Sequence, residues 1–389
     1  MNSISSLNTN FSWAKNRPLL SCLFVWGIVN VLHYAYLGIR TGGDTGRYTG
    51  SAIEILNGNW PAGKAVEYMG YNIFVAFSQL ISPSYLFETI VVLQVLVSAV
   101  AVICLYKIAE IYGSTLVAIF ASLAWIIFPD TQYWNFLILT ESLFVSALLI
   151  SLYAILRSET RMQVAISLVI VIFTASIRPN GLIVLVAAYC YFLVASFIKK
   201  DYLALSAIVF MGLLGLTVSV NMLGAIVERQ EIVESFIKGE TIWGYPQSYN
   251  PLPDSSSASL IDGVKGIPAL FNLVLAEPIY FIEVVFTKLF YLLSHTRPYW
   301  STYHNIYALF FILPLYALLI YGIFYRTAPI DVVSFAYPLI TTQLLVVAFS
   351  FADWDGRHLL PIYPFFCLLA GFSAAKLFGF LSLQGIGAK

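Results

Sequence analysis

PLLSCLFVWGIVNVLHYAYLGI, residues 18–39, is followed at once by RTGGDTGRYTGSAIEILNGNW, residues 40–60. The first stretch holds no acid, lysine or arginine, and it exceeds the roughly 18 apolar residues needed to cross a bilayer. The second is polar and glycine-rich, and it places Asp44 close behind the apolar run. Lys15 and Arg17 precede the run, which is long for a signal-peptide core, and no small-residue cleavage pattern follows. It therefore reads as an uncleaved membrane anchor. Gly42 and Gly43 are expected to let the chain turn sharply as it leaves the membrane, because glycine accepts backbone conformations closed to other residues.

The remainder repeats this alternation of apolar runs and polar breaks. Of 389 residues, 60% are hydrophobic and 10% charged, whereas soluble domains carry about 25% charged residues. Apolar spans at 18–39, 85–106, 114–129, 140–156, 163–177, 180–198, 203–224, 306–325, 332–350 and 358–379 predict an all-α polytopic membrane protein. It would form a single transmembrane domain over 1–389, with ten spanning helices, or eleven if 279–293 also crosses. Residues 71–82 are apolar but too short to span and read as a helix lying at the interface. The apolar stretch 267–293 is broken by Glu277, Pro278, Glu283 and Lys288 and reads as interfacial or re-entrant. Formal net charge is zero, so no nucleic acid or acidic partner is implied. Cys22, Cys104, Cys190 and Cys367 each lie inside an apolar run without CxxC spacing, which argues against a disulfide framework and against a metal site.

Basic residues in short loops set the orientation. With the N-terminus in the cytoplasm, Lys107, Arg157, Arg161, Lys199, Lys200, Arg326 and Lys376 all fall inside. Outside lie a first loop with interfacial helices, 40–84, a short loop 130–139, the Arg178–Pro179–Asn180 turn, a long loop 225–305, and 351–357. Most of the unusual polar chemistry collects on that outer face: Asp44, Glu54, Glu67, Glu88, Asp130 and Glu141, with Arg47, Lys64, Arg178, Arg297, Arg357 and His358. Arg178, Arg297 and Arg357 break the positive-inside pattern, and charge at a membrane boundary without a topological reason points to function.

Each residue has a plain structural reading. Asp44 at the start of a helix over 45–57 could cap it. Arg178 could reach up to lipid headgroups from a Pro–Gly turn, and Glu141 suits the start of a helix. Together they suit one reaction, the transfer of a sugar from a lipid-linked phosphate. Fixed arginines grip phosphate oxygens in a fork and stabilise the charge that develops on the leaving group. A positioned carboxylate takes the proton of the attacking hydroxyl. On this reading Asp44, Glu141 and Glu88 are the candidate catalytic acids. Arg178, Arg357, His358, Arg297, Lys64 and Arg47 are the candidates for binding the donor phosphate. No nucleotide site is needed, no cofactor is expected, and the acids are too scattered to show a metal cluster, which leaves metal dependence open.

The same positions carry a family resemblance. The chain resembles the multispanning GT-C glycosyltransferases, in particular the polyprenyl-phosphate-sugar-dependent branch of protein O-mannosyltransferases and aminoarabinose lipid A transferases. The resemblance rests on Gly43-Asp44-Thr45-Gly46-Arg47-Tyr48 after the first span, on Ser82-Pro83-Ser84-Tyr85-Leu86-Phe87-Glu88 ahead of the next, and on the leucine-rich run 93–114. It continues through Phe128-Pro129 with Leu139-Thr140-Glu141-Ser142, Arg178-Pro179-Asn180-Gly181-Leu182, and Asp355-Gly356-Arg357-His358-Leu359-Leu360-Pro361. It implies an inverting transferase with Asp44 as general base, a polyprenyl-phosphate sugar as donor, and a lipid, glycan or protein hydroxyl as acceptor. The site would lie on the extracytoplasmic side of a plasma or inner membrane. Three departures stand out. The Pro-Pro common in the interfacial helix is missing, Glu141 stands where many relatives have Asp, and no large soluble C-terminal domain is visible. Two other classes stay open: a lipid-linked polysaccharide polymerase or ligase, which would centre on arginines of 225–305 such as Arg229 and Arg297, and a lipid or polysaccharide transporter.

Overall fold

A computed structural model describes residues 13–209, 212, 231–250 and 267–379. Most of the expected span 203–224, together with Arg229 and the polar run 251–266, lies outside the described residues. The described chain is helical throughout, save two two-residue strands. In order, it runs through α1 (Trp13–Leu37), α2 (Thr45–Leu56), α3 (Met69–Ile81), α4 (Leu86–Tyr112), α5 (Thr115–Ile127) and the short α6 (Pro129–Gln132). It continues through α7 (Glu141–Leu156), α8 (Arg161–Ala175), α9 (Leu182–Ile198), α10 (Glu231–Ile237), α11 (Ile267–Ala276), α12 (Pro278–Ser294), α13 (Thr302–Tyr325), α14 (Ile330–Phe349) and α15 (Tyr363–Leu377). Five described segments are long and apolar enough to cross a membrane: α1 from Arg17, α4 with its leading turn, α9 with its leading turn, α13 and α14.

Contacts between helix ends divide the bundle into two poles. At one pole Arg40–Thr41 pairs in parallel with Leu137–Ile138, the Gly70 amide donates to Ser176 O at 2.8 Å, and Ile242 bridges Ala352. At the other, Tyr112 OH meets Leu156 O, Lys376 Nζ donates to Tyr325 O, and Thr327 pairs with Ser373. Lys107, Arg157, Arg326 and Lys376 thus sit towards the second pole, and the segments expected outside converge at the first.

α7 and α15 form the buried centre: nearly every residue from Glu141 to Leu149 and from Tyr363 to Ala375 is inaccessible. They are only 16 and 15 residues long, about 24 and 22 Å at 1.5 Å per residue, short of the ~30 Å hydrocarbon core. Short turns and bridges, 133–140 and 351–362, lead into these two helices from the first pole. Irregular backbone within a membrane needs partners. Gln94 supplies two, donating from Nε2 to Asn135 O and Leu137 O at 3.0 Å each, while its own Oε1 accepts from Tyr71 OH. Asn135 is further tied to Asn30, Ser98, Gln132 and Ser142.

Residues 40–84 cover the first pole. α2 buries Thr45, Tyr48, Ser51 and Ala52, and α3 buries Tyr71, Asn72, Val75, Ala76 and Ser78, each at helical spacing on one face. Ile73, Phe77, Leu80 and Ile81 remain exposed on the other side of α3, which suits a helix lying at the interface. The sharp turn is made by Gly38, at φ +62°, and neither Gly42 nor Gly43 has positive φ. A Cβ on Gly42 would meet the end of the Leu139 side chain at 2.9 Å, which would have to shift. Between Ala276 and Pro278 the α11–α12 pair bends by 107°. Phe281 lies against Phe349, and His295 packs beside Gly356, so both ends of α12 reach the 349–356 segment at the first pole.

Candidate functional site

Glu141 is the first residue of α7 and is almost fully buried. Two arginines from distant parts of the chain converge on it. Arg178, from the turn between α8 and α9, reaches Glu141 Oε1 through Nη1 at 3.3 Å, and Arg357 approaches the same oxygen through its own Nη1 at 3.6 Å. The Arg178 turn has little freedom: a Cβ on Gly181 would lie 2.1 Å from Ala175 O and 2.7 Å from its carbonyl carbon. Both are backbone atoms and cannot step aside cheaply. Gly181→Ala is expected to lower stability by about 1–3 kcal/mol, the usual scale of overpacking, and to weaken any function of Arg178. A thermal melt with a parallel binding assay checks both.

Arg357 is fixed from behind. Its Nε donates to Asp353 Oδ2 and lies 3.7 Å from Asp355 Oδ1. His358 Nε2 is 3.4 Å from the same Asp353 oxygen, while the His358 carbonyl accepts from Gln343 Nε2, whose Oε1 accepts from Asn180 of the Arg178 turn. The 353–358 loop and the 178–181 turn are thereby one hydrogen-bonded unit. Burial works against the Asp353 charge, but His358 and Arg357 hold its carboxyl below the usual range. Asp355 goes the other way: burial, then the Asp353 charge, push its pKa up to about 7. Burial drives His358 down to about 4, so near neutral pH it is an uncharged ring. Arg357 rises despite burial, because Glu141, Asp353 and Asp355 favour its charge.

Arg178 keeps unused capacity. Among the described residues its buried Nε has no hydrogen-bond partner, although buried donors are nearly always paired. A guanidinium with an open donor, beside a second guanidinium, is a place for an anion.

Asp44 lies nearby and more exposed. It occupies the position before α2 but makes no side-chain capping bond. Instead it pairs with Arg47 at 3.0 Å, both side chains about a third exposed. The capping reading therefore fails for this side chain; Thr45 Oγ1 ties the turn together, accepting from Gly42 N and donating to Ile138 O. Tyr48 and Tyr68, with ring centroids 5.4 Å apart, are close to both Asp44 and the buried pair, since the charges of Asp44, Glu141 and Arg178 act on both phenols. Burial first, and then the Glu141 charge, raise the Tyr48 pKa.

The structure thus brings together Asp44, Arg47, Glu141, Arg178, Arg357 and His358. Three other candidates lie apart. Glu88 is exposed in the first turn of α4. Lys64 is exposed in the turn Gly63–Tyr68. Arg297 is buried and uses its guanidinium on backbone carbonyls: Nε and Nη2 donate to Asp353 O, and Nη1 to Tyr291 O and Thr296 O. It holds the loop that carries Arg357. Asp353, Tyr48 and Tyr68 were not among the sequence candidates. The doubled acid in Asp353-Trp354-Asp355 just ahead of Arg357-His358 was the signal for the first. Among the described residues no group of three or more acids, histidines or cysteines is placed to hold a metal ion.

Compared with known proteins, the chain matches no family model and no curated protein.

Proposed function

We propose that this protein is a membrane glycosyltransferase that moves a sugar from a polyprenyl-phosphate donor to an acceptor hydroxyl. The observation that carries the reading is the meeting of Arg178 and Arg357 on one buried Glu141 oxygen, with Arg178 Nε left open, while the Asp44 charge acts with those of Glu141 and Arg178 on the same two tyrosines. The two guanidiniums receive the donor phosphate at headgroup depth, and Glu141 keeps them together while the site is empty. Asp44 takes the proton of the acceptor hydroxyl as its oxygen bonds to the anomeric carbon. The bond from that carbon to the phosphate oxygen breaks, the electron pair leaves on polyprenyl phosphate, and the arginines stabilise the charge that develops. Attack opposite the leaving group inverts the anomeric centre.

The topology proposed is ten spans with the first pole outside. Impermeant thiol reagents should label single cysteines placed at the exposed positions Asn59 and Trp354 from outside and should miss those at Glu159 and Arg326. Labelling of Arg326→Cys from outside would reverse α13 and remove Arg357 from an outer site.

Asp355 supplies a pH test. Its pKa in the folded protein, about 7, lies above its ordinary 3.8, so the folded chain binds a proton that the unfolded chain lacks between those values. Its contribution to stability is complete below about 4 and is lost as the pH rises through about 7. Its negative charge, appearing beside Arg357 over the same range, should weaken phosphate binding. Affinity for a polyprenyl-phosphate sugar, a diester with no pKa of its own there, is expected to fall between roughly pH 6 and 8, and Asp355→Asn to flatten the curve. A slope unchanged in Asp355→Asn would separate this carboxyl from the phosphate. The activity itself is tested by incubating purified protein with a panel of polyprenyl-phosphate sugars and scoring release of polyprenyl phosphate. Absence of release across the panel, in folded protein supplied with acceptor lipids and glycans, would count against the reading.

A further inference from the structure

A second polar cluster stands beside the first and takes no part in it. Asp130, in α6, accepts from three side chains: His295 Nε2 at 2.9 Å, His304 Nε2 at 3.1 Å and Tyr307 OH at 2.7 Å. Burial opposes the Asp130 charge, yet the hydrogen bonds from both histidines hold its carboxyl well below the usual range. A carboxylate that receives Nε2–H from a neutral imidazole leaves Nδ1 as that ring's acceptor. His295 Nδ1 is indeed buried with no partner. His304 is about three-tenths exposed, and its ring is stacked between those of Trp300 and Tyr307.

Directly beneath lies a groove of about 460 Å³ between α5, α13 and α15. Every lining residue is apolar; Leu116, Leu123, Ile127, Phe311, Ala374 and Phe378 mark its length. From Leu116 to Ile127 it follows α5 for about 16 Å at 1.5 Å per residue. The groove and the cluster are continuous. His304, Tyr307 and Phe311 share one face of α13 at spacings of three and four, and the Phe128 ring touches both Phe311 and His295, with centroids 5.6 and 5.4 Å away. The cluster also lies near the arginine pair, because Tyr133 feels the charges of Asp355, Glu141, Asp130 and Arg357 together.

We propose that the groove holds the hydrocarbon chain of a lipid whose neutral, hydroxyl-bearing headgroup binds at the Asp130–His304 pair, and that this lipid is the acceptor. A sideways opening walled only by apolar side chains fills with hydrocarbon in a bilayer. Its polar end carries the Asp130 carboxylate, which repels a phosphate, and a hydroxyl can pair with His304 Nδ1 as donor or as acceptor. The arginine pair and the Asp130 cluster thus favour opposite headgroups: phosphate at the arginines, hydroxyl beside Asp130. Naming the lipid as acceptor rests on the transferase reading; the binding site does not.

The test uses the full-length protein in phosphatidylcholine vesicles and an alkyl glucoside with a photoreactive diazirine in its chain. After irradiation, peptide mapping should place the label on α5 and α13, at about tenfold the yield on α1 or α8. An alkyl phosphate of the same chain length should label these helices about tenfold less. His304→Ala should lower the glucoside label about five-fold, the scale of one lost hydrogen bond. Leu123→Trp fills the groove without touching the headgroup residues and should abolish labelling, so the site remains testable if the cluster variant fails to fold. Even labelling of all lipid-facing helices, equal labelling by the phosphate, indifference to Leu123→Trp, or labelling only after removal of residues 380–389 would each overturn the site. The last of these would mean that the chain's own end occupies the groove. Absence of the label from a protein that still releases polyprenyl phosphate sinks the lipid site alone, whereas specific labelling in one that never releases it sinks the transferase reading alone.

Discussion

Asp44→Asn is expected to lower turnover by about 10²-fold or more, the scale of a lost general base, while the melting temperature hardly moves. The two halves of that expectation come from different observations. Asp44 pairs only with Arg47, and both side chains are about a third exposed; exposed pairs of this kind contribute about 0–1 kcal/mol. It makes no side-chain capping bond that the substitution could remove. Asparagine keeps the size and removes only the basicity. Transfer kinetics and a thermal melt on the same preparation separate the roles: near-normal turnover in folded Asp44→Asn would return Asp44 to a surface ion pair.

Arg178→Lys and Arg357→Lys are each expected to weaken donor binding by about tenfold or more, the scale of one charge-assisted hydrogen bond, although both keep the positive charge. Lysine offers a point charge where arginine offers two parallel donors. Because both guanidiniums approach the same Glu141 oxygen, the losses should not add: the double variant should bind better than the product of the two single effects implies. Stability should separate the members of the site. Deleting the Glu141 carboxylate leaves Arg178 buried without its partner, a change that costs about 3–5 kcal/mol for a buried pair. Replacing Arg357 leaves Glu141 still paired with Arg178. Full donor affinity in both lysine variants would show that the arginines meet for structural reasons alone.

The helical membrane character was legible because it is written in composition and in run length, which no tertiary contact can override. The short helix near 71–82 was legible for the same reason, as an apolar run too short to cross. The gathering of Arg178, Arg357 and Glu141 was legible only as a shared face, since a topology places residues at a pole without placing them in contact. Arg297 shows the limit. By charge and position it equals Arg357, yet one grips backbone carbonyls and the other faces an acid. That difference lies in which loop each must hold. Asp44 shows the converse: its sequence position suits a cap, but its backbone lies in the helical region, which turns the carboxylate towards Arg47 instead. The Asp130–His295–His304–Tyr307 cluster joins residues more than 160 apart, with no local pattern to announce it. The shortness of α7 was visible in the run 140–156, whereas that of α15 was not, since the run 358–379 is long enough to span and the helix begins only at Tyr363.

The most direct measurement is the distance between the lipid phosphorus and arginine nitrogens. Protein labelled with ¹⁵N at arginine, in vesicles containing polyprenyl phosphate, can be examined by solid-state phosphorus–nitrogen dipolar recoupling. Dephasing of the bound phosphorus signal by guanidinium nitrogens, lost in the Arg178→Lys, Arg357→Lys double variant and kept in Arg297→Lys, is the result expected. A bound phosphate that shows no dephasing, or whose dephasing survives the double variant, would contradict the phosphate clamp on which the proposed transfer depends.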